Sequence, residues 1–219
     1  GQVERIVTAK PGRYTIAALV MRAEGAKGFR HGIALFPGHP GILKLEEVDG
    51  RPRYEMRGNF LVRSRRHWLD EETLVAVLDA PSDEWTAFTQ DFRATARYGS
   101  DIAFLLGEIS GRFEVEDWTL VGTSEGSISA FHAARMNPKL ARRVILTSSV
   151  FSPGRNGPGL SGARFEQLAA PLLWVHHEDD PCQYTPYRDA RRYAEQTMSP
   201  LVTVRGGGPE KGGACQAFT

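Results

Sequence analysis

The stretch "LVGTSEGSISAFHAA", residues 120–134, decides how this chain is read. An apolar run ends in Gly122-Thr123-Ser124-Glu125-Gly126, and a helical run follows directly. Glycines two before and two after the serine permit a tight strand-to-helix turn. A side chain at either position would collide with the neighbouring strand or helix. Such a turn lifts the serine to the C-terminal edge of a sheet with its Oγ exposed, and the helix N-terminus behind it favours negative charge. Ser124 is therefore a candidate nucleophile. A Gly/Ser turn that merely caps a helix shows the same five-residue pattern. What favours the nucleophile is the buried strand before it and the helix after it.

Strand and helix signals alternate outward from this motif. Residues 13–25 ("RYTIAALVMRAEG") mix alternation with β-branched residues and predict an antiparallel edge strand, with "VERIVTAK" (3–10) as its partner. "GIALFPGHPG" (32–41) predicts a short buried strand running into a Pro/Gly-rich loop. Asn59 is a good N-cap for a helix over 60–69, and "TLVAVLDAPSD" (73–83) reads as a strand. A long helix is expected within 91–113, where Phe92, Ala96, Ile102, Leu105, Leu106, Ile109 and Phe113 roughly keep a helical period. The strand 118–122 leads through the serine turn into a helix that ends before Pro138. "RRVILTSSV" (142–150) and "PLLWVHH" (171–177) are continuous apolar runs of the parallel-strand kind. Thr185 is the expected cap of a helix carrying Pro186 in its first turn, and "LVTVRGG" (201–207) is the last strand. Strands alternating with helices predict an α/β fold, a mostly parallel, doubly wound sheet flanked by helices. The link of about twenty residues between 150 and 171 leaves no room for a lid domain.

Composition narrows the classes. The 219 residues suffice for one sizeable core, so a single domain over 1–219 is expected. A net charge of +1 gives no reason to expect nucleic acid or an anionic membrane as partner. No apolar run approaches the ~20 residues that span a bilayer. Two cysteines, Cys182 and Cys215, make no CxxC pair and are too few for a structural zinc site. The chain opens with Gly1 rather than Met, which leaves a removed targeting segment open.

With these elements in order, the chain resembles the α/β-hydrolase family over nearly its whole length. The likeness is carried by the strand order, the turn "GTSEG", the loop "FPGHPG" and the turn "HHEDDPC". The resemblance implies that Pro37-Gly38-His39-Pro40-Gly41 is the loop that binds the oxyanion of an acyl-transfer transition state. That charge needs two preorganised N–H donors, here the backbone groups of Glu125 and His39. Pro40 has no N–H and cannot serve. Matching His176-His177 to the family's His-Gly pair puts the triad acid at Asp180, with Asp179 as the neighbour if the register slips by one. Asp79 and Asp83 are expected to shape the cleft rim. A plain Pro/Gly turn and a capping aspartate are the structural alternatives for the two loops.

The family's base is a histidine on the loop after the last strand. Here that loop reads "GPEKGGACQAFT" and holds none, which is the one departure from the pattern. Of the six histidines, His31, His67 and His132 read as surface or packing residues, with His31 ahead of its strand. His176 and His177 share the acid's own turn, and His39 serves through its backbone. The base is therefore expected just past Thr219, the C-terminal end of the domain being incomplete. In this family the loops bearing Cys182 and Cys215 are adjacent, so a disulfide joining them is expected, contributing about 3–4 kcal/mol through chain entropy. Two free thiols are the alternative. If the bond forms, an oxidising compartment, periplasmic or extracellular, is favoured; otherwise the cytoplasm.

The expected activity is that of a serine hydrolase, carboxylesterase-like. Ser124 attacks the acyl carbonyl of a small-molecule ester, water resolves the acyl-enzyme, and this reading implies no metal or organic cofactor. Amidase, thioesterase and acyltransferase chemistry share the same site, and fold resemblance does not choose among them. The rival is a binding or scaffold protein on the same fold that has lost its base.

Overall fold

The computed structural model describes residues 1–207 and 213–216. Strand β1 (Gln2–Ala9) pairs antiparallel with β2 (Ile16–Ala23), and β3 (Phe29–Phe36) runs into the Pro37–Gly41 loop. A hairpin of β4 (Glu46–Val48) and β5 (Arg51–Arg53) follows, turning at Asp49-Gly50 with both residues at positive φ. Helix α1 (Phe60–Ser64) leads by a short 3₁₀ turn toward β6 (Thr73–Leu78). Next come α2 (Gln90–Arg93), α3 (Ala96–Phe113), β7 (Val115–Thr123), α4 (Gly126–Met136), β8 (Ala141–Thr147), β9 (Leu172–His177), α5 (Tyr187–Gln196) and β10 (Leu201–Val204). The eight-stranded sheet has the order β1-β2-β6-β3-β7-β8-β9-β10, parallel from β6 to β10.

The sheet is covered on both faces because its inner strands are apolar on both. In β2, Ala18 and Val20 join a cluster with Ile102 and Leu105 of α3 and Phe131 of α4. The alternate residues Leu19 and Met21 pack on the other face with Leu61 and Val62 of α1. Continuous burial along β6 and most of β7 is the mark of a parallel sheet between helical layers. Among the described residues, no helix is long and apolar enough to cross a membrane.

Four sequence expectations are corrected. The strand within 13–25 is not an edge: β6 pairs along its other side, so an apolar residue faces each layer, and the half-exposed β1 is the edge. The long helix expected within 91–113 is α3, but Phe92, read as part of it, lies on the separate short helix α2. Thr89 accepts from the N–H of Phe92 and Thr95 from that of Tyr98, and Thr95 leaves helical geometry (ψ 151°) to cap α3. Thr185 caps nothing; Pro186 occupies the N-cap of α5 while the Thr185 hydroxyl donates to Asp180. His31 also sits within β3 rather than ahead of it, its Nδ1 2.7 Å from Asp117 Oδ1. Asn59 does cap α1, accepting from the N–H of Leu61.

One packing histidine carries a pH signature. Burial, and then the charge of Arg135, push the His132 imidazole of α4 down to about 4 from 6.5. Between those values the unfolded chain binds a proton that the folded chain excludes, so stability falls as pH falls through that window. His132→Gln is expected to flatten this dependence. Urea midpoints at about pH 7 and pH 4.5 should drop more in the parent than in the variant; equal drops would remove the assignment.

Candidate active site

The turn from β7 into α4 places Ser124 at φ +54°, a left-handed conformation unusual for a residue with a side chain. Its N–H donates to Thr147 O of β8 (3.1 Å), and its carbonyl accepts from the Ser127 N–H (3.1 Å) as α4 begins. The glycines allow this geometry. A Cβ at Gly122 would overlap the carbonyl of Gly126, and one at Gly126 would overlap the carbonyl of Phe36. The loop after β3 comes equally close: a Cβ on Gly38 would lie 3.0 Å from Ser124 Cβ and 3.6 Å from its Oγ. Ser124 and the Pro37–Gly41 loop thus form one wall at the C-terminal edge of the sheet. Among the described residues, neither the Glu125 N–H nor the His39 N–H donates to a protein acceptor.

Both residues also bring side chains together. Glu125 is buried; its Oε1 accepts from Gln90 Nε2 (3.2 Å), and its Oε2 lies 3.5 Å from His39 Nδ1 and 3.8 Å from Arg93 Nη2. The sequence reading used Glu125 only for its N–H and assigned nothing to Gln90 or Arg93. Their i, i+3 spacing puts them on one helix face, but in sequence such a polar pair reads as solvent-facing.

Asp180 lies at the end of β9 with its carboxylate 4% exposed. Oδ1 accepts from the Cys182 N–H (3.0 Å), while Oδ2 accepts from Thr185 Oγ1 (2.8 Å) and lies 3.1 Å from His176 Nε2. His176 Nε2 also lies 2.6 Å from Thr185 O, so that nitrogen carries the proton and faces two acceptors. Asp179 is exposed, its N–H donating to His177 Nδ1. Asp79 is buried and accepts from the N–H groups of Leu43, Leu45 and Ala80, anchoring the far side of the loop after β3; burial raises its pKa. Asp83 pairs with Arg97 at the surface.

A cleft of ≈ 260 Å³ opens in front of Ser124. His39 and Glu125 line it, with Val150, Arg155 and Tyr184 among the other walls. Cys182 and Cys215 are joined by a disulfide, and both line the cleft. Of the six histidines, His39 is the one on this lining. His132 accepts from Arg135 on α4, His67 is exposed, His31 pairs with Asp117, and His176 and His177 are bound in the β9 turn. The stretch expected to lead toward the base passes through 208–212 and 217–219, outside the described residues. Removing the disulfide opens a loop spanning 33 positions. Cys182→Ala with Cys215→Ala is therefore expected to cost about 3–4 kcal/mol, read as a lower urea midpoint. An unchanged midpoint would contradict the pairing.

No family model matches the sequence, and no curated protein matches it. Solved structures do, and they give the chain an α/β-hydrolase fold. It is similar to Est1E from Butyrivibrio proteoclasticus at 14% identity and TM-score 0.62, covering 92% of this chain and 88% of that one. It is similar to a cold-adapted esterase from an Arctic intertidal metagenomic library at 13% identity and TM-score 0.65, covering 94% and 85%. The dienelactone hydrolase from Anabaena variabilis matches at 15% identity and TM-score 0.60, covering 93% and 86%.

Proposed function

We propose that the protein is a serine hydrolase that cleaves carboxylic esters through an acyl-enzyme on Ser124. The observation that carries this reading is the left-handed serine between β7 and α4, so close to Gly38 that a Cβ there would crowd it, and open to the cleft. The naming of several structures of this fold as esterases supports the reaction class.

In this reading Ser124 Oγ attacks the acyl carbonyl as an imidazole takes its proton. The carbonyl oxygen becomes an oxyanion held by the N–H groups of Glu125 and His39, which have no competing acceptor among the described residues. Collapse expels the alcohol, protonated by the imidazolium. Water then attacks the acyl-enzyme by the same route in reverse. Asp180 orients the imidazole. Its Oδ1 accepts only the Cys182 N–H among the described residues, and a carboxylate oxygen can accept more than one bond. The placement of the six histidines supports a base supplied from outside residues 1–219. The disulfide ties the acid's turn to the segment leading there.

The test is hydrolysis of p-nitrophenyl butyrate by the full-length gene product. kcat/KM should rise with pH through a pKa of about 6–7, as an imidazole base requires. A flat profile with no turnover would instead support a non-catalytic binding protein on this fold.

A further inference from the structure

Beneath the loop after β3 lies a buried polar pair that this mechanism does not use. Gln90 and Arg93 of α2 are 4% and 1% exposed. Arg93 Nη1 donates to Pro37 O (3.3 Å) and Ser129 Oγ (3.0 Å), and Nη2 donates to Pro40 O (3.5 Å). The guanidinium stacks on the Phe88 ring at 4.2 Å, and a Cβ at Gly41 would overlap it. Gln90 donates to Glu125 and accepts from the Gly159 N–H (2.8 Å).

Burying a guanidinium is costly unless it is well paired, and here the nearest carboxylate is 3.8 Å away. Its Nε has no hydrogen-bond partner among the described residues, and burial lowers its pKa. An apolar side chain would fill the same space without that cost. What an apolar side chain could not do is grip two carbonyls. The carbonyls of Pro37 and Pro40 flank the peptide that presents the His39 N–H, and Arg93 holds both inward. Gln90 and Arg93 together hold the carboxylate of Glu125, whose N–H is the second donor. One short helix therefore grips both halves of the proposed oxyanion site.

We infer that Gln90 and Arg93 are positioning residues that fix the N–H groups of His39 and Glu125 in one arrangement and place a buried positive charge behind the developing oxyanion. This rests on the serine hydrolase reading above. Misplacing such donors by a fraction of an ångström weakens transition-state binding while leaving substrate binding nearly intact.

The experiment uses the full-length protein with Arg93→Met, Arg93→Ala, Gln90→Leu and Ser124→Ala. Active sites are counted by fluorophosphonate labelling, so that misfolded molecules drop out. Per titrated site, kcat for p-nitrophenyl butyrate should fall by about 10–100-fold in Arg93→Met with KM little changed. Gln90→Leu should fall in the same sense by a smaller factor. The rate constant for phosphonylation should fall in parallel, because the phosphoryl oxygen uses the same donors. Guanidinium ion added to Arg93→Ala should recover part of the loss. If Arg93→Met does not fold, Gln90→Leu carries the test. Values of kcat per site within twofold of the parent in every folded variant would overturn the inference, Ser124 remaining the nucleophile. Hydrolysis surviving intact in Ser124→Ala would instead overturn the reading beneath it.

Discussion

Replacing Ser124 with alanine should lower kcat for a p-nitrophenyl ester by about 10⁴- to 10⁶-fold. The substitution removes one oxygen, and with it the atom on which the acyl group would be carried. The N–H groups of Glu125 and His39 stay in place, so a residual rate above that of water is expected from oxyanion binding alone. The fold should be nearly indifferent. Alanine pays about the same left-handed penalty at φ +54° as serine, and no hydrogen bond of the fold runs through the Ser124 hydroxyl among the described residues. Loss of activity together with a changed urea midpoint would point to a structural role instead.

The second large effect concerns the base. A protein ending at Thr219 should fold, since its eight-stranded sheet is present, yet hydrolyse the ester barely above background. Without an imidazole, Ser124 stays a neutral hydroxyl near pH 7, and losing a triad member costs several orders of magnitude. On the proposed reading, a protein that includes the native segment carrying the imidazole should recover turnover. The histidines within 1–219 explain the expectation: five lie outside the cleft lining, and His39 points its Nδ1 toward Glu125. Full activity in the 1–219 protein would make His39 the first residue to replace.

The sequence carried the fold through periodicity and the glycine-serine turn, because parallel strands are continuously apolar and Gly122 and Gly126 stand where the chain has no room for a Cβ. The disulfide followed from the expected adjacency of two loops, and the structure pairs the same two cysteines. Errors fell where local propensity is ambiguous. The pattern in 13–25 does not say how many neighbours a strand has, so β2 was assigned to the edge that β1 occupies. Thr95 and Thr185 both suit a cap; Thr95 fills one and Thr185 turns to Asp180, a choice set by a carboxylate five residues away. Asp49-Gly50, at the turn between β4 and β5, is a hairpin signal of the Asp-Gly kind. Gln90 and Arg93 were illegible for a different reason. Their partners are carbonyls and a glutamate more than thirty positions distant, and only the packed structure brings these together.

The most direct measurement is fluorophosphonate labelling of the full-length protein followed by peptide mapping. Surface serines are inert to this reagent, and only a serine with a base and oxyanion donors around it reacts. One label per chain on the peptide containing Ser124, absent in Ser124→Ala, is the result expected. A label on any other residue, or none on a folded full-length protein, would contradict the assignment of Ser124 as the nucleophile.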